Sequence, residues 1–154
     1  MKRITVTMLL TTMACVFGHA SRAQTDSCVG TTPIRSALVD LSIPKDQTTS
    51  GLAVLIKYPT QAVTIPNISS DRAVAERVKS RPDKAIVAAH VNAGTIRVVL
   101  ARSEVFPAGP LFSIDFDSCQ GSSGPVAGDF ACSVEGCANQ YGAVDGCTCS
   151  VRVP

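Results

Sequence analysis

Alternating apolar and polar positions run through most of the chain and predict β-strands. The pattern is clearest over residues 86–91, 96–101 and 112–116, and it recurs over residues 51–58, the most apolar run outside the N-terminus. Because successive side chains of a strand point to opposite faces, each run offers one face to a core. The inward side chains are expected to include Val54, Tyr58, Val98 and Ile114.

Turn-forming residues separate these runs. Asn92-Ala93-Gly94 forms a short hairpin turn between residues 86–91 and 96–101, and the Pro- and Gly-containing stretch 106–110 ends the next run. Residues 34–43 predict a further strand, whereas residues 70–80 fit either a short helix or a strand. About eight or nine short strands bounded by glycine and proline predict an all-β sandwich.

The first 23 residues have the pattern of a secretory signal peptide. Two basic residues precede an uncharged apolar stretch, and Ser21-Arg22-Ala23 supplies the small residues of a cleavage site. Cleavage of a lipoprotein before Cys15 fits less well, because Thr12 is a poor residue for that motif. We therefore expect an exported protein, secreted or held in the periplasm or at the cell surface, whose single domain spans residues 24–154.

Removal of the signal segment changes the charge of the protein. The chain has 14 Lys and Arg against 12 Asp and Glu, and three of the basic residues lie in the signal segment, which leaves 11 against 12, a net charge of −1. No basic patch remains that would favour nucleic acid or an anionic membrane surface. No second apolar segment is long enough to span a bilayer.

Six cysteines remain after cleavage, and an even number in an exported chain predicts disulfides. Four of them fall in the C-terminal segment 129–153, where two alternating stretches predict a hairpin joined by its own cysteines. A zinc site made by these four cysteines stays open, although their CxxxxC and CxC spacings lack the usual CxxC knuckle. Six cysteines allow 15 pairings, so the sequence leaves the connectivity open. Pairing of the two hairpin strands favours Cys132–Cys149 and Cys137–Cys147, which would leave Cys28 to pair with Cys119.

Catalytic motifs are missing from the sequence. His90 is the single histidine outside the signal segment, and its place in an alternating run predicts an exposed strand residue. Asp115 and Asp117 predict solvated carboxylates, although an acid–base pair from distant positions stays open. There is no GxSxG nucleophile motif and no DxDxDG calcium loop. We expect a protein without enzymatic activity, metal or cofactor.

Three of the predicted strands resemble motifs of cohesin-type domains. Gly51–Pro59 resembles the cohesin strand that starts with glycine, continues with alternating apolar residues and ends in Tyr-Asp-Pro. Asn92–Ala101 is similar to the strand motif G-x-I-R-V-A-L-A, and Ala108–Phe116 is similar to the motif G-P-L-hydrophobic-x-I-x-F. The order and spacing agree, and the resemblance covers residues 33–118. It implies a jelly-roll β-sandwich of about nine strands. It also implies a non-catalytic module that binds a dockerin-type module or other exported protein, with a link to polysaccharide degradation.

The resemblance also implies where a partner would dock. In cohesins the partner binds one sheet face, assigned here to the strands over residues 51–58, 84–91 and 111–116, with the strand over 96–101 in the opposite sheet. A helix, a loop or the cysteine-rich tail covering this face is an alternative that the sequence leaves open. By alternation, the outward residues are Ala53, Leu55, Lys57, Ile86, Ala88, His90, Leu111, Ser113 and Asp115.

Two other interpretations use the same fold. A carbohydrate-binding module would stack sugar rings on flat aromatic side chains. The chain has no Trp and two Tyr, and because Tyr58 is predicted to point inward, only Tyr141 is left for stacking. A structural domain of a cell surface or envelope is the third interpretation, and nothing in the sequence excludes it.

Overall fold

The computed structural model describes residues 28, 30–65, 70–82, 84–92 and 94–154. The predicted signal segment and its cleavage site lie outside this part of the chain. The described residues form ten strands, one α-helix and one turn of 3-10 helix over Ala127–Asp129. The elements are β1 (Gly30–Ser42), β2 (Gly51–Lys57), β3 (Val63–Thr64), α1 (Asp71–Glu76), β4 (Val78–Ser80), β5 (Ile86–Asn92), β6 (Thr95–Ala101), β7 (Gly109–Cys119), β8 (Ala131–Asn139), β9 (Gly142–Ala143) and β10 (Thr148–Arg152).

The strands of the described chain form two five-stranded antiparallel sheets. In the first sheet the order is β10-β1-β7-β3, and β4 also pairs with β7. In the second sheet the order is β5-β6-β2-β8-β9. The inward side chains of both sheets meet in one hydrophobic core. This architecture confirms the predicted all-β jelly-roll sandwich.

The core contains the side chains that the alternation placed inward. Val54, Val98 and Ile114 are fully buried, and each comes from a strand whose neighbouring residues are more exposed. Phe116 lies at the centre of an aromatic cluster, with ring centroids 5.2 Å from Tyr58 and 5.7 Å from Phe130. The period-two pattern therefore predicted the inward face of these strands correctly.

Residues 70–80 form both of the elements that the sequence left open. Helix α1 begins after Ser70, whose Oγ accepts a hydrogen bond from the Ala73 amide at 3.5 Å and caps the helix. Val74 is the buried residue of the helix, and strand β4 follows directly. Because α1 contacts both β4 of the first sheet and β5 of the second, it closes one side of the sandwich.

Disulfides close the opposite side. The three predicted bonds Cys28–Cys119, Cys132–Cys149 and Cys137–Cys147 are all present, so these sulfur atoms are not available as zinc ligands. The predicted tail hairpin is different: β8 pairs with β2 of the second sheet, and β10 pairs with β1 of the first. Each tail strand extends the ladder of a sheet edge, and a short hairpin forms between β8 and β9. Cys132–Cys149 therefore joins β8 of one sheet to β10 of the other, and Cys137–Cys147 joins β8 to the residue before β10.

Two predicted strand placements are wrong. Strand β6 lies between β5 and β2 in the second sheet rather than in the opposite one, because the short turn after Asn92 makes β5 and β6 neighbours. Strand β7 belongs to the first sheet, so it does not share a face with β2 and β5. Leu111, predicted to point outward, is fully buried because Val39 pairs with Phe112 and Asp40 with Pro110, which leaves Leu111 as the extra residue of a β-bulge.

Candidate docking face

The outer face of the first sheet is polar, and several of its charged side chains are hydrogen-bonded within the chain. Ser36 Oγ donates to Asp115 Oδ1 at 2.7 Å, and Arg77 donates to Asp117 Oδ1 at 2.7 Å. Asp40 accepts two hydrogen bonds from the guanidinium of Arg152, one of them 2.8 Å long. These hydrogen bonds, together with the positive charge of Arg152, hold the pKa of the Asp40 carboxyl below its usual value. Such internally paired groups give a partner little unsatisfied surface.

One end of the outer face of the second sheet is apolar and carries small side chains. Two adjacent rows of paired residues cross β5, β6, β2 and β8. Ile86 is 74% exposed and Val99 is 40% exposed, and they are the largest side chains in these rows. We call this surface the small-residue face; it consists of Ile86, Ala101, Gly51 and Ala138 in one row and Ala88, Val99, Ala53 and Gly136 in the next.

Polar residues border the small-residue face on one side. The next row contains His90, Arg97 and Leu55, and Lys57 follows at the end of β2. A register shift in β8 makes Glu135 an extra residue, and its Oε2 accepts a hydrogen bond from Arg97 Nε at 2.6 Å. An apolar centre with a polar margin is the composition typical of protein interfaces.

Helix α1 forms a wall beside this face. A groove of about 490 Å³ lies between the helix and the outer surface of β5 and β6. His90 Nδ1 and Asp71 Oδ1 are 2.7 Å apart, a contact that ties the start of the helix to β5. The groove is lined by Asp71, Arg72, Ala75, Val87, Ala88, Ala89, His90, Arg97 and Val99. The helix therefore leaves the small-residue face uncovered and gives it one raised edge.

The structure brings together only part of the predicted docking face. Six of the predicted residues lie outward on the second sheet: Ala53, Leu55, Lys57, Ile86, Ala88 and His90. Ser113 and Asp115 point outward from β7, on the polar face of the other sheet, and Leu111 is buried. The cysteine-rich tail joins the edges of the sheets, and its strand β8 supplies Gly136 and Ala138 to the face.

Sequence reasoning missed Val99, Arg97 and the wall formed by α1. Val99 and Arg97 alternate with buried residues of β6, so their outward direction was predictable, but β6 was assigned to the wrong sheet. The Asn92 turn carried the information that β5 and β6 are neighbours. No sequence pattern placed α1 beside β5, because that position depends on packing of Val74 into the core.

In the part of the chain that the structure describes, no aromatic side chain lies on the small-residue face. Tyr58 is buried against Phe116, as its inward alternation predicted. Tyr141 is 87% exposed in the turn between β8 and β9, where its amide donates to Asn139 Oδ1 at 2.8 Å. Among the described residues this is the one exposed aromatic ring, fewer than the row of rings that stacking of a glycan chain would use.

Among the described residues, no group of three or more His, Cys, Asp and Glu side chains is arranged to hold a metal ion. In the same part of the chain, no helix has the length and apolar composition needed to cross a membrane.

Comparison of the chain with family models, curated proteins and solved structures found no match.

Proposed function

We propose that this chain is an exported, non-catalytic binding module that docks a protein partner on the small-residue face. The observation that carries the proposal is the contrast between the two outer faces. One has several charged side chains hydrogen-bonded within the chain, and the other has an apolar area that no other element of the described residues covers. The resemblance to cohesin-type domains supports the same function and makes a dockerin-type module, in a complex linked to polysaccharide degradation, the first partner to test.

The shape of the small-residue face favours a partner with large apolar side chains. Ala53, Ala88 and Gly136 leave the sheet surface low and flat, so a partner can approach the backbone closely. The partner must then supply most of the volume that fills the interface. Burial of one Ile or Leu side chain contributes about 1.5–3 kcal/mol, so a few such residues are enough for specific binding.

A matched pair of arginine substitutions tests this function. Ala88→Arg places a long charged side chain in the middle of the small-residue face, and Ser113→Arg places the same side chain outward on the polar face. The immobilised wild-type protein is used to capture exported proteins from its source organism, and each captured protein is purified and titrated against both variants. We expect Ala88→Arg to weaken binding at least about tenfold and Ser113→Arg to leave it within about twofold.

Unfolding midpoints of both variants, measured beside the wild type, show that the fold is intact. Equal binding to all three proteins contradicts the proposed docking face. So does a loss of binding confined to Ser113→Arg, or the failure of the wild type to bind any exported protein specifically.

A further inference from the structure

The groove beside α1 combines an apolar floor with cationic side chains. Its walls and floor include Ala75 of the helix and Ala88 and Val99 of the sheet. Arg72 and Arg97 also line it, with side chains 90% and 57% exposed. A concave site with mostly apolar lining and a few convergent polar groups is the usual form of a specific binding site.

Both arginines contact acidic residues of this chain through Nε. Arg97 Nε donates to Glu135 at 2.6 Å, and Arg72 Nε lies 3.5 Å from Glu76. For neither arginine does the described part of the chain show a hydrogen bond from the two terminal amino groups of the guanidinium. These amino groups can therefore donate to a carboxylate from outside, in the paired geometry that guanidinium and carboxylate favour.

The acidic groups nearby are already engaged. Asp71, the acidic residue that lines the groove, lies 2.7 Å from His90. Glu135 accepts from Arg97 at the margin. The lining itself has two arginines and one aspartate, and Glu76 and Glu135 offset part of the positive charge from just outside it. The donors left without a partner in the described part of the chain are the terminal guanidinium amino groups, and these favour an anionic group over a cationic one.

We propose that this groove receives an acidic side chain of the protein partner. Its carboxylate binds the terminal amino groups of Arg97, with Arg72 at the rim, and the apolar residue beside it packs on Ala75, Ala88 and Val99. The inference rests on the proposed function, because the groove continues directly into the small-residue face through Ala88 and Val99. It makes Arg97 a specificity-determining residue.

Small probes test this chemistry without the partner. Hexanoate, hexanol and hexylammonium share one aliphatic chain and differ in the charge of the head group. Each is titrated into the 15N-labelled protein, and amide shifts are followed by NMR. We expect hexanoate to shift the amides of Ala88, Arg97 and Val99 saturably, and the other two probes to bind at least about tenfold more weakly.

Two variants show which cation is responsible. Arg97→Met is expected to weaken hexanoate binding at least about tenfold, while Lys57→Met, which removes a positive charge from the same sheet face outside the groove, leaves it within about twofold. The inference is overturned if hexanol binds as tightly as hexanoate, if hexylammonium binds more tightly, or if hexanoate does not bind. It is also overturned if both variants lose hexanoate affinity equally.

The partner experiment separates this inference from the proposed function. Weaker partner binding by Ala88→Arg but not by Arg97→Met leaves the docking face standing and overturns the role of the groove. A second outcome is that hexanoate binding depends on Arg97 but partner binding is unchanged by Ala88→Arg. This outcome supports the groove chemistry, contradicts the proposed docking face, and with it contradicts the assignment of the anion to the partner. The full inference requires both Ala88→Arg and Arg97→Met to weaken partner binding, and Ser113→Arg on the polar face to leave it within about twofold.

Discussion

The disulfide between Cys28 and Cys119 is expected to contribute more to stability than the disulfide between Cys137 and Cys147. The first joins residues 91 positions apart, and the second joins residues 10 positions apart. A cross-link destabilises the unfolded chain by removing conformational freedom, and this effect increases with the length of the closed loop. We propose to remove each bond by a pair of Cys→Ala substitutions.

The loop lengths set the expected magnitudes. The chain-entropy relation gives about 4.6 kcal/mol for a 91-residue separation and about 2.7 kcal/mol for a 10-residue separation at 25 °C. The short loop also lies inside the loop closed by Cys132–Cys149, which remains in the variant and already restricts the same segment. The difference between the two variants is therefore expected to be about 2 kcal/mol or more.

The two variants are well matched in the folded state. Each bond joins a buried cysteine, Cys119 at 6% or Cys137 at 7% exposure, to a half-buried one. The loss of buried sulfur surface is therefore similar, and the comparison isolates the effect on the unfolded chain. Urea unfolding followed by circular dichroism gives the free energy of unfolding and the m-value of each variant.

The order of the two free energies decides the outcome. Equal losses, or a larger loss for the Cys137–Cys147 variant, would refute the loop-length reasoning. That result would mean that the Cys137–Cys147 bond acts mainly on the folded state, by holding the residue before β10 against β8. A changed m-value in either variant would show that the compactness of the unfolded chain had changed as well.

Three further predictions concern single residues. Phe116→Ala removes the ring that contacts Tyr58 and Phe130, and urea unfolding should show a loss of about 3–5 kcal/mol; a loss below about 1 kcal/mol would contradict the central place of this ring in the core. Asp40 has a lowered pKa in the folded state, so its stabilising effect is present above the ordinary value of 3.8 and is lost as the pH falls through the folded pKa. The difference in unfolding free energy between wild type and Asp40→Asn should therefore shrink from about pH 6 to about pH 3, and a constant difference would count against the hydrogen bonds from Arg152 as the cause. Gly94 has a φ of +78°, and a Cβ there would lie 3.0 Å from Thr60 Cγ2, so Gly94→Ala should lower the thermal midpoint, with a loss of about 1–2 kcal/mol; an unchanged midpoint would show that the turn can rearrange.

The sequence predicted what happens within a strand better than which strands meet. The alternation around Val98 and Ile114 gave the correct inward faces, because the direction of a side chain depends on its own backbone. Assignment of a strand to a sheet depends on distant segments. In the case of β6, the short turn after Asn92 was a stronger constraint than the resemblance, since a chain reversal of this length joins neighbouring strands.

Two other outcomes depended on the pairing of distant strands, which the local sequence does not specify. The inward turn of Leu111 follows from its position opposite Val39 and Asp40, where β7 has one residue more than β1. The tail disulfides were predicted correctly from a hairpin that does not form between the strands involved. Both arrangements bring the same cysteines close, because β8 and β10 lie at adjacent edges of the two sheets.

The arrangement of the disulfides also fixes how the chain transmits mechanical tension. When the chain is pulled between Cys28 and Cys149, the tension first passes through the Cys28–Cys119 disulfide. It then follows the backbone to Cys132 and passes through the Cys132–Cys149 disulfide. The backbone from Cys119 to Cys132 covers 13 residue steps (132 − 119) and extends to about 45 Å, whereas the reduced chain from Cys28 to Cys149 covers 121 steps (149 − 28) and would extend to about 400 Å. Strands β2 to β6 lie entirely outside this load path. The part of the sandwich that bears most of the small-residue face can therefore stay folded while the module is under load.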